Sequence, residues 1–174
     1  MNDSEIDYLQ PTIFWLDSLK DNWAHLNEEF DEAMELVIPA MRTLGQNLDN
    51  YKEEAAMELA DVQVMCNTII RRLEYPTVME AGQYNFCQPN IYRAETYAVQ
   101  LIRFTEMKVR AGIKYREIAR GYTTDGDELY YALKYLIIGA EALMSWLIPE
   151  QKDRTEIRRL VYEKNYKRGY YTYE

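Results

Sequence analysis

Two short acidic clusters stand out for what their side chains could do. The first is LNEEFDEAME, Leu26 to Glu35; the second is MELADV, Met57 to Val62. Within them, Glu29 and Glu32 are spaced i,i+3, and so are Glu58 and Asp61. On a helix that spacing puts both carboxylates of a pair on one face. An acid on a surface helix is usually just solvated, so the informative question is whether it shares the apolar stripe. At about 100° per residue, Glu58 falls inside the sector that holds Val62, Met65, Ile69 and Leu73, with Asp61 and Glu54 flanking it. In the earlier helix Glu28 and Glu35 point away from the stripe. Glu29 falls at its edge between Leu36 and Ala40, and Glu32 lies next to Glu29. Carboxylates in core-facing positions are costly unless they are paired or bind a cation.

If the two helices pack by their stripes, four carboxylates meet. Basic partners are scarce nearby: residues 1–87 hold 5 Lys and Arg against 17 Asp and Glu, and none of the five lies between Lys20 and Arg42. An all-oxygen cage of this kind suits a hard cation, Mg²⁺ or Mn²⁺, which completes its shell with water and substrate phosphates. A polyphosphate substrate follows. A ferritin-like di-iron bundle would need Glu-x-x-His on two helices. The chain has one histidine, His25, with no Glu three residues before it, and His25 is assigned no role.

The elements that must position these residues are helical nearly throughout. Pro11 suits the first turn of a helix starting near Thr12, with a break near Asp21 and Asn22 as the cap of the next segment. Trp23 to Leu44 carries Leu26, Phe30, Ala33, Val37, Met41 and Leu44 at spacings of three and four, and Gly45 is a stop. Asn50 with Glu53 reads as a capping box opening a helix to about Leu73. Residues 75–90 read as a loop. A third helix is expected from Ile91 to Ala111, with a short one near Tyr115 to Arg120. Gly121 to Gly126 is a turn, Asp127 to Leu147 a fourth long helix ended by Pro149, and Gln151 to Lys167 a last one stopped by Gly169. The expectation is an all-α, single-domain helical bundle of about five to six helices: acidic helices over about 22–73, a helical remainder over about 90–168 and a short Tyr-rich tail.

Size and charge exclude several classes. The 174 residues are 48% hydrophobic, with 7 Gly and 5 Pro, which argues against disorder and against a many-turned β-sandwich. The net charge of −9 divides into −12 over residues 1–87 and +3 over residues 88–174. That balance disfavours non-specific nucleic-acid binding and anionic membranes. Cys66 and Cys87 form no framework and no zinc spacing, and reduced thiols in the cytoplasm are the default. The N-terminus lacks an apolar core for a signal peptide. The most apolar run, Tyr130 to Ile148, contains Lys134 and Glu141, so it reads as a bundle helix rather than a membrane span.

The two acidic segments together resemble the E-E-x-x-E and E-x-x-D motifs of the all-α nucleoside triphosphate pyrophosphohydrolases, the superfamily of MazG-like proteins, dimeric dUTPases and dCTP pyrophosphatases. The 25 intervening residues, Ala33 to Met57, fit that family's range. EKNYKRGY, Glu163 to Tyr170, resembles its late Lys/Asn/Arg cluster. The resemblance covers residues 20–75 well and the rest loosely; the stretch from about 75 to 150 is longer than in minimal members.

What the resemblance implies is hydrolysis of a (deoxy)nucleoside triphosphate to monophosphate and pyrophosphate, with two or three Mg²⁺ or Mn²⁺ ions. Glu29, Glu32, Glu58 and Asp61 would be metal ligands, and Glu28 a supporting or water-positioning group. Glu35 and Glu54 would be auxiliaries at most. Lys164, Asn165 and Arg168 would hold phosphates, although a basic helix C-terminus that complements the helix dipole explains that cluster equally well. Trp23 and Trp15 are candidates for stacking on a base, and the tyrosines of the tail, Tyr162, Tyr166, Tyr170, Tyr171 and Tyr173, could do so or pack on another subunit. The family assembles as homodimers or homotetramers, and its phage members include purine specialists acting on dGTP. A bacterial or phage-infected bacterial cytoplasm is the implied compartment. The rival from another class is a non-catalytic helical module whose acidic face docks a basic protein.

Overall fold

The structure, a computed structural model, describes residues 18–40, 49–76 and 97–169. These form five helices and no strand: α1 (Leu19–Ala40), α2 (Asp49–Arg72), α3 (Tyr97–Ala119), α4 (Asp127–Leu147) and α5 (Gln151–Lys167). The expected all-α bundle is what the chain adopts. Helices expected before Ser18, the Gly45 stop, most of the 75–90 loop, Cys87 and the last tyrosines lie outside the described residues.

Local chemistry sets the ends of these helices. Ser18 caps α1: its Oγ accepts from the Asp21 amide at 3.1 Å, and the Asp21 carboxylate accepts from the Ser18 amide at 3.3 Å and its hydroxyl at 2.6 Å. This is a capping box with Asp in place of Glu. It starts α1 at Leu19, so the expected break near Asp21 does not occur and Asn22 is a buried helical residue rather than a cap. Likewise α2 begins at Asp49, so Asn50 is its second residue and not its cap. The end of α3 is a Schellman turn. Gly121 sits at φ 73°, its amide bonds the Ile118 carbonyl at 3.0 Å, and the Tyr122 amide bonds the Glu117 carbonyl at 2.9 Å. Helices α4 and α5 span the expected residues, and Gly169, at φ 75°, ends α5. No single helix among the described residues is long and apolar enough to cross a membrane.

Packing follows from the stripes. Helix α2 lies against α1, α4 and α5, while α3 packs mainly on α4. With three neighbours, α2 is buried on every side from Leu59 to Ile70. The core runs through Leu26, Leu59, Met65, Ile69, Leu133 and Ile137 and takes in Ile157 and Val161 of α5. Truncating one of the buried leucines to Ala would cost about 2–5 kcal/mol. Two tyrosines fix the far end of α1. Tyr51 donates to the Leu36 carbonyl at 2.8 Å and Tyr97 to the Val37 carbonyl at 2.7 Å. The Tyr51 bond joins the start of α2 to the end of α1, so the two helices run antiparallel. Their acidic segments therefore meet midway.

Candidate metal centre

Glu29 and Glu32 project from α1 and Glu58 from α2. One carboxylate oxygen of each lies within 4.8 Å of the other two. That spread matches a shell around one hard cation, whose oxygen ligands sit at about 2.0–2.6 Å. Glu29 and Glu58 are half-buried at the seam of the helices, and Glu32 is exposed at its rim.

The fourth expected ligand is placed differently. Asp61, one turn after Glu58, is only 4% exposed and stands outside that set of three. Its Oδ2 accepts from Lys164 Nζ at 2.6 Å, and its Oδ1 from the Asn165 amide at 3.4 Å. The last turn of α5 thus reaches across α2 and joins the late basic cluster to the acidic one. The stripe projection made Asp61 a flanking residue. It is deeper than Glu58 because α5 covers that side of α2.

Burial first, and then the charges of Asp61, Glu29 and Glu32, push the Glu58 carboxyl up to about 7 against the pull of Lys164. Burial also raises Asp61, with Lys164 and Asn165 opposing. Glu58 and Asp61 thus resist ionisation unless positive charge enters the cluster.

Sequence reasoning missed one member. His25 Nε2 lies 2.9 Å from Glu29 Oε1, one turn before it on α1, and that bond is the main reason the imidazole pKa is raised. The i,i+4 spacing of His25 and Glu29 was the available signal.

The other candidates are not members of the three-carboxylate set. Glu28 is exposed, and so are Glu35 and Glu54. Arg168 is exposed at the C-cap of α5. Trp23 is a core residue, 8% exposed, stacked on Tyr115 at 4.7 Å with Lys108 Nζ 4.7 Å over its ring, so its faces are committed to packing rather than to a free stacking site. Tyr162 and Tyr166 stack on each other at 6.2 Å. Trp15 lies outside the described residues. Cys66 is fully buried, which pushes its thiol up and leaves it inert.

Family models, curated proteins and solved structures give no match to this chain. The likeness of the two acidic motifs rests on their own residues.

Proposed function

We propose that this protein is a divalent-metal-dependent nucleoside triphosphate pyrophosphohydrolase. The observation that carries the reading is the convergence of Glu29, Glu32 and Glu58 from consecutive helices, beside an Asp61 that already accepts from Lys164 and Asn165. Carboxylates, an ammonium and an amide donor are brought to one place, as a metal-bridged polyanion requires.

In this reading Glu29, Glu32, Glu58 and Asp61 would hold Mg²⁺ or Mn²⁺, two or three ions in the family form. Bound there, the ions supply Lewis acidity toward water and phosphate oxygens and neutralise leaving-group charge. Water attacks the α-phosphorus, the bond from that phosphorus to the α–β bridging oxygen breaks, and pyrophosphate leaves with the bridging oxygen. Exposed Glu28 would orient the attacking water. Lys164, Asn165 and Arg168 would bind the outer phosphates. His25 holds one oxygen of Glu29 and so helps fix its carboxylate. A deoxynucleotide such as dGTP is the finest form of the reading. A homodimer or homotetramer in a bacterial or phage-infected cytoplasm is its setting.

The deciding experiment incubates the protein with canonical and modified nucleoside triphosphates and Mg²⁺ or Mn²⁺, separating monophosphate plus pyrophosphate from diphosphate plus phosphate. Glu58→Ala and Asp61→Ala should each lose about 100-fold or more of the activity while remaining helical by circular dichroism. Full activity in either variant would remove the assignment.

A further inference from the structure

The ion pair between α2 and α5 carries a consequence for the order of events at this centre. Resting on the metal-centre reading, we propose that Lys164 is an internal stand-in for a divalent cation: it occupies Asp61 in the metal-free protein, is displaced when metal binds, and is thereby released toward the phosphates of the incoming polyanion.

Three observations carry this. Asp61 has both oxygens engaged by α5, while Glu29, Glu32 and Glu58 already form a three-oxygen set without it. The two partners differ in freedom: the Lys164 side chain is 28% exposed and the Asp61 side chain 6%, so the lysine can leave and the aspartate cannot. The charges also compete. A divalent ion about 2.0–2.2 Å from Oδ2 would sit against an ammonium only 2.6 Å from the same oxygen, and like charges at such separations repel strongly in a part-buried site. Metal and Lys164 therefore exclude each other at Oδ2. The long lysine stem lets the ammonium swing outward at the rim while remaining beside the cluster.

The test measures Mn²⁺ binding by calorimetry in wild type, Lys164→Met, Lys164→Gln and Glu58→Ala, with tripolyphosphate binding measured afterwards at saturating Mn²⁺. Removing the lysine charge should tighten Mn²⁺ binding about tenfold and weaken tripolyphosphate about tenfold, opposite signs from one substitution. Wild-type Mn²⁺ affinity that is unchanged or lowered in both lysine variants would overturn the exchange while leaving the metal centre standing. No Mn²⁺ binding by wild type or by either lysine variant would overturn both. Should the variants fail to fold, the wild-type protein decides alone. The side-chain ¹⁵N signal of Lys164 should lose its ion-paired character on adding Mg²⁺, and a signal that does not move would end the proposal.

Discussion

Glu58 shows most directly what the acidic centre costs the fold when nothing neutralises it. Its carboxyl is raised from an ordinary 4.5 to about 7, so the folded state holds the proton more tightly than the unfolded chain does. Stability from this group is therefore complete below about pH 4.5 and is lost as pH rises toward about 7. His25 and Asp61 are raised as well and act with the same sign. Glu58→Gln, a neutral isostere, isolates the effect. It should be more stable than wild type by about 1–2 kcal/mol at pH 8, since solvent at the half-exposed carboxyl screens part of the penalty, and indistinguishable from it near pH 4.5. Denaturant melts at the two pH values check this, and a gap that does not depend on pH would contradict it. Saturating Mn²⁺ should reverse the order, because the charged carboxylate is a far stronger ligand than the neutral amide oxygen. Glu29, Glu58 and Asp61 were legible as unusual because each sits on or beside an apolar stripe. The partners were not. Projecting one helix gives one buried direction, whereas α2 has three neighbours, and the contact of Asp61 with Lys164 spans 103 positions.

Helix α3 shows how a local signal can mislead. The residue after Ala111 is Gly112, a weak helix former, and the third helix was expected to end at Ala111 with a short one near Tyr115 to Arg120. In fact α3 runs unbroken from Tyr97 to Ala119. Gly112 passes beside the Trp23 ring, which also stacks on Tyr115 about one turn further along α3, so packing carries the helix through. A Cβ added at Gly112 would meet the Trp23 ring at 3.6 Å, an ordinary contact. Gly112→Ala should therefore stabilise by about 0.5–1 kcal/mol, through helix propensity and a stiffer unfolded chain. Gly139 in α4 is the opposite case. A Cβ there would sit 3.1 Å from Phe104 Cδ2, where α3 and α4 approach closely. Gly139→Ala should gain nothing and lose up to about 1 kcal/mol to crowding. Thermal melts of the pair test whether space decides, and equal stabilisation at both sites would refute it. Where punctuation agreed with packing, as at Gly126, Pro149 and Gly169, helix ends were readable from sequence alone. The Ser18 cap was missed because Asp fills the third position of its box, where Glu or Gln is the usual signal.

The charge split between the two halves of the chain becomes a joint between helices. Acidic α2 meets basic α5 at two points, through Asp61 with Lys164 and through a buried network on α4. There Glu141, 3% exposed, accepts from Arg154 Nε at 3.0 Å and pairs with Arg158, while Gln63 of α2 donates to the Ile137 carbonyl at 3.0 Å and to Glu141 at 3.4 Å. Arg154 also closes the α4–α5 corner, donating to the carbonyls of Ile148 at 2.8 Å and Pro149 at 2.6 Å. From sequence, Glu141 argued only against a membrane span; its two arginines lie on the next helix, and no periodicity within α4 reveals them. A lone carboxylate between two buried guanidiniums is the kind of group whose removal costs more than its presence contributes. Glu141→Ala should destabilise by about 3–5 kcal/mol, since it takes a shared counter-charge from two buried cations. Replacing Glu141, Arg154 and Arg158 together by Met, Leu and Met should cost far less, because no charge of this network is then left buried. The corner itself would loosen, and with it the register that brings Lys164 and Asn165 to Asp61. Urea unfolding of the single and triple variants, read with Mn²⁺ affinity of the folded fraction, separates the two roles. A triple variant as stable as wild type but with Mn²⁺ binding tightened, as expected for Lys164→Met, would mark the network as the strut that holds Lys164 on Asp61. A single variant that loses under 1 kcal/mol would show that Glu141 holds nothing together.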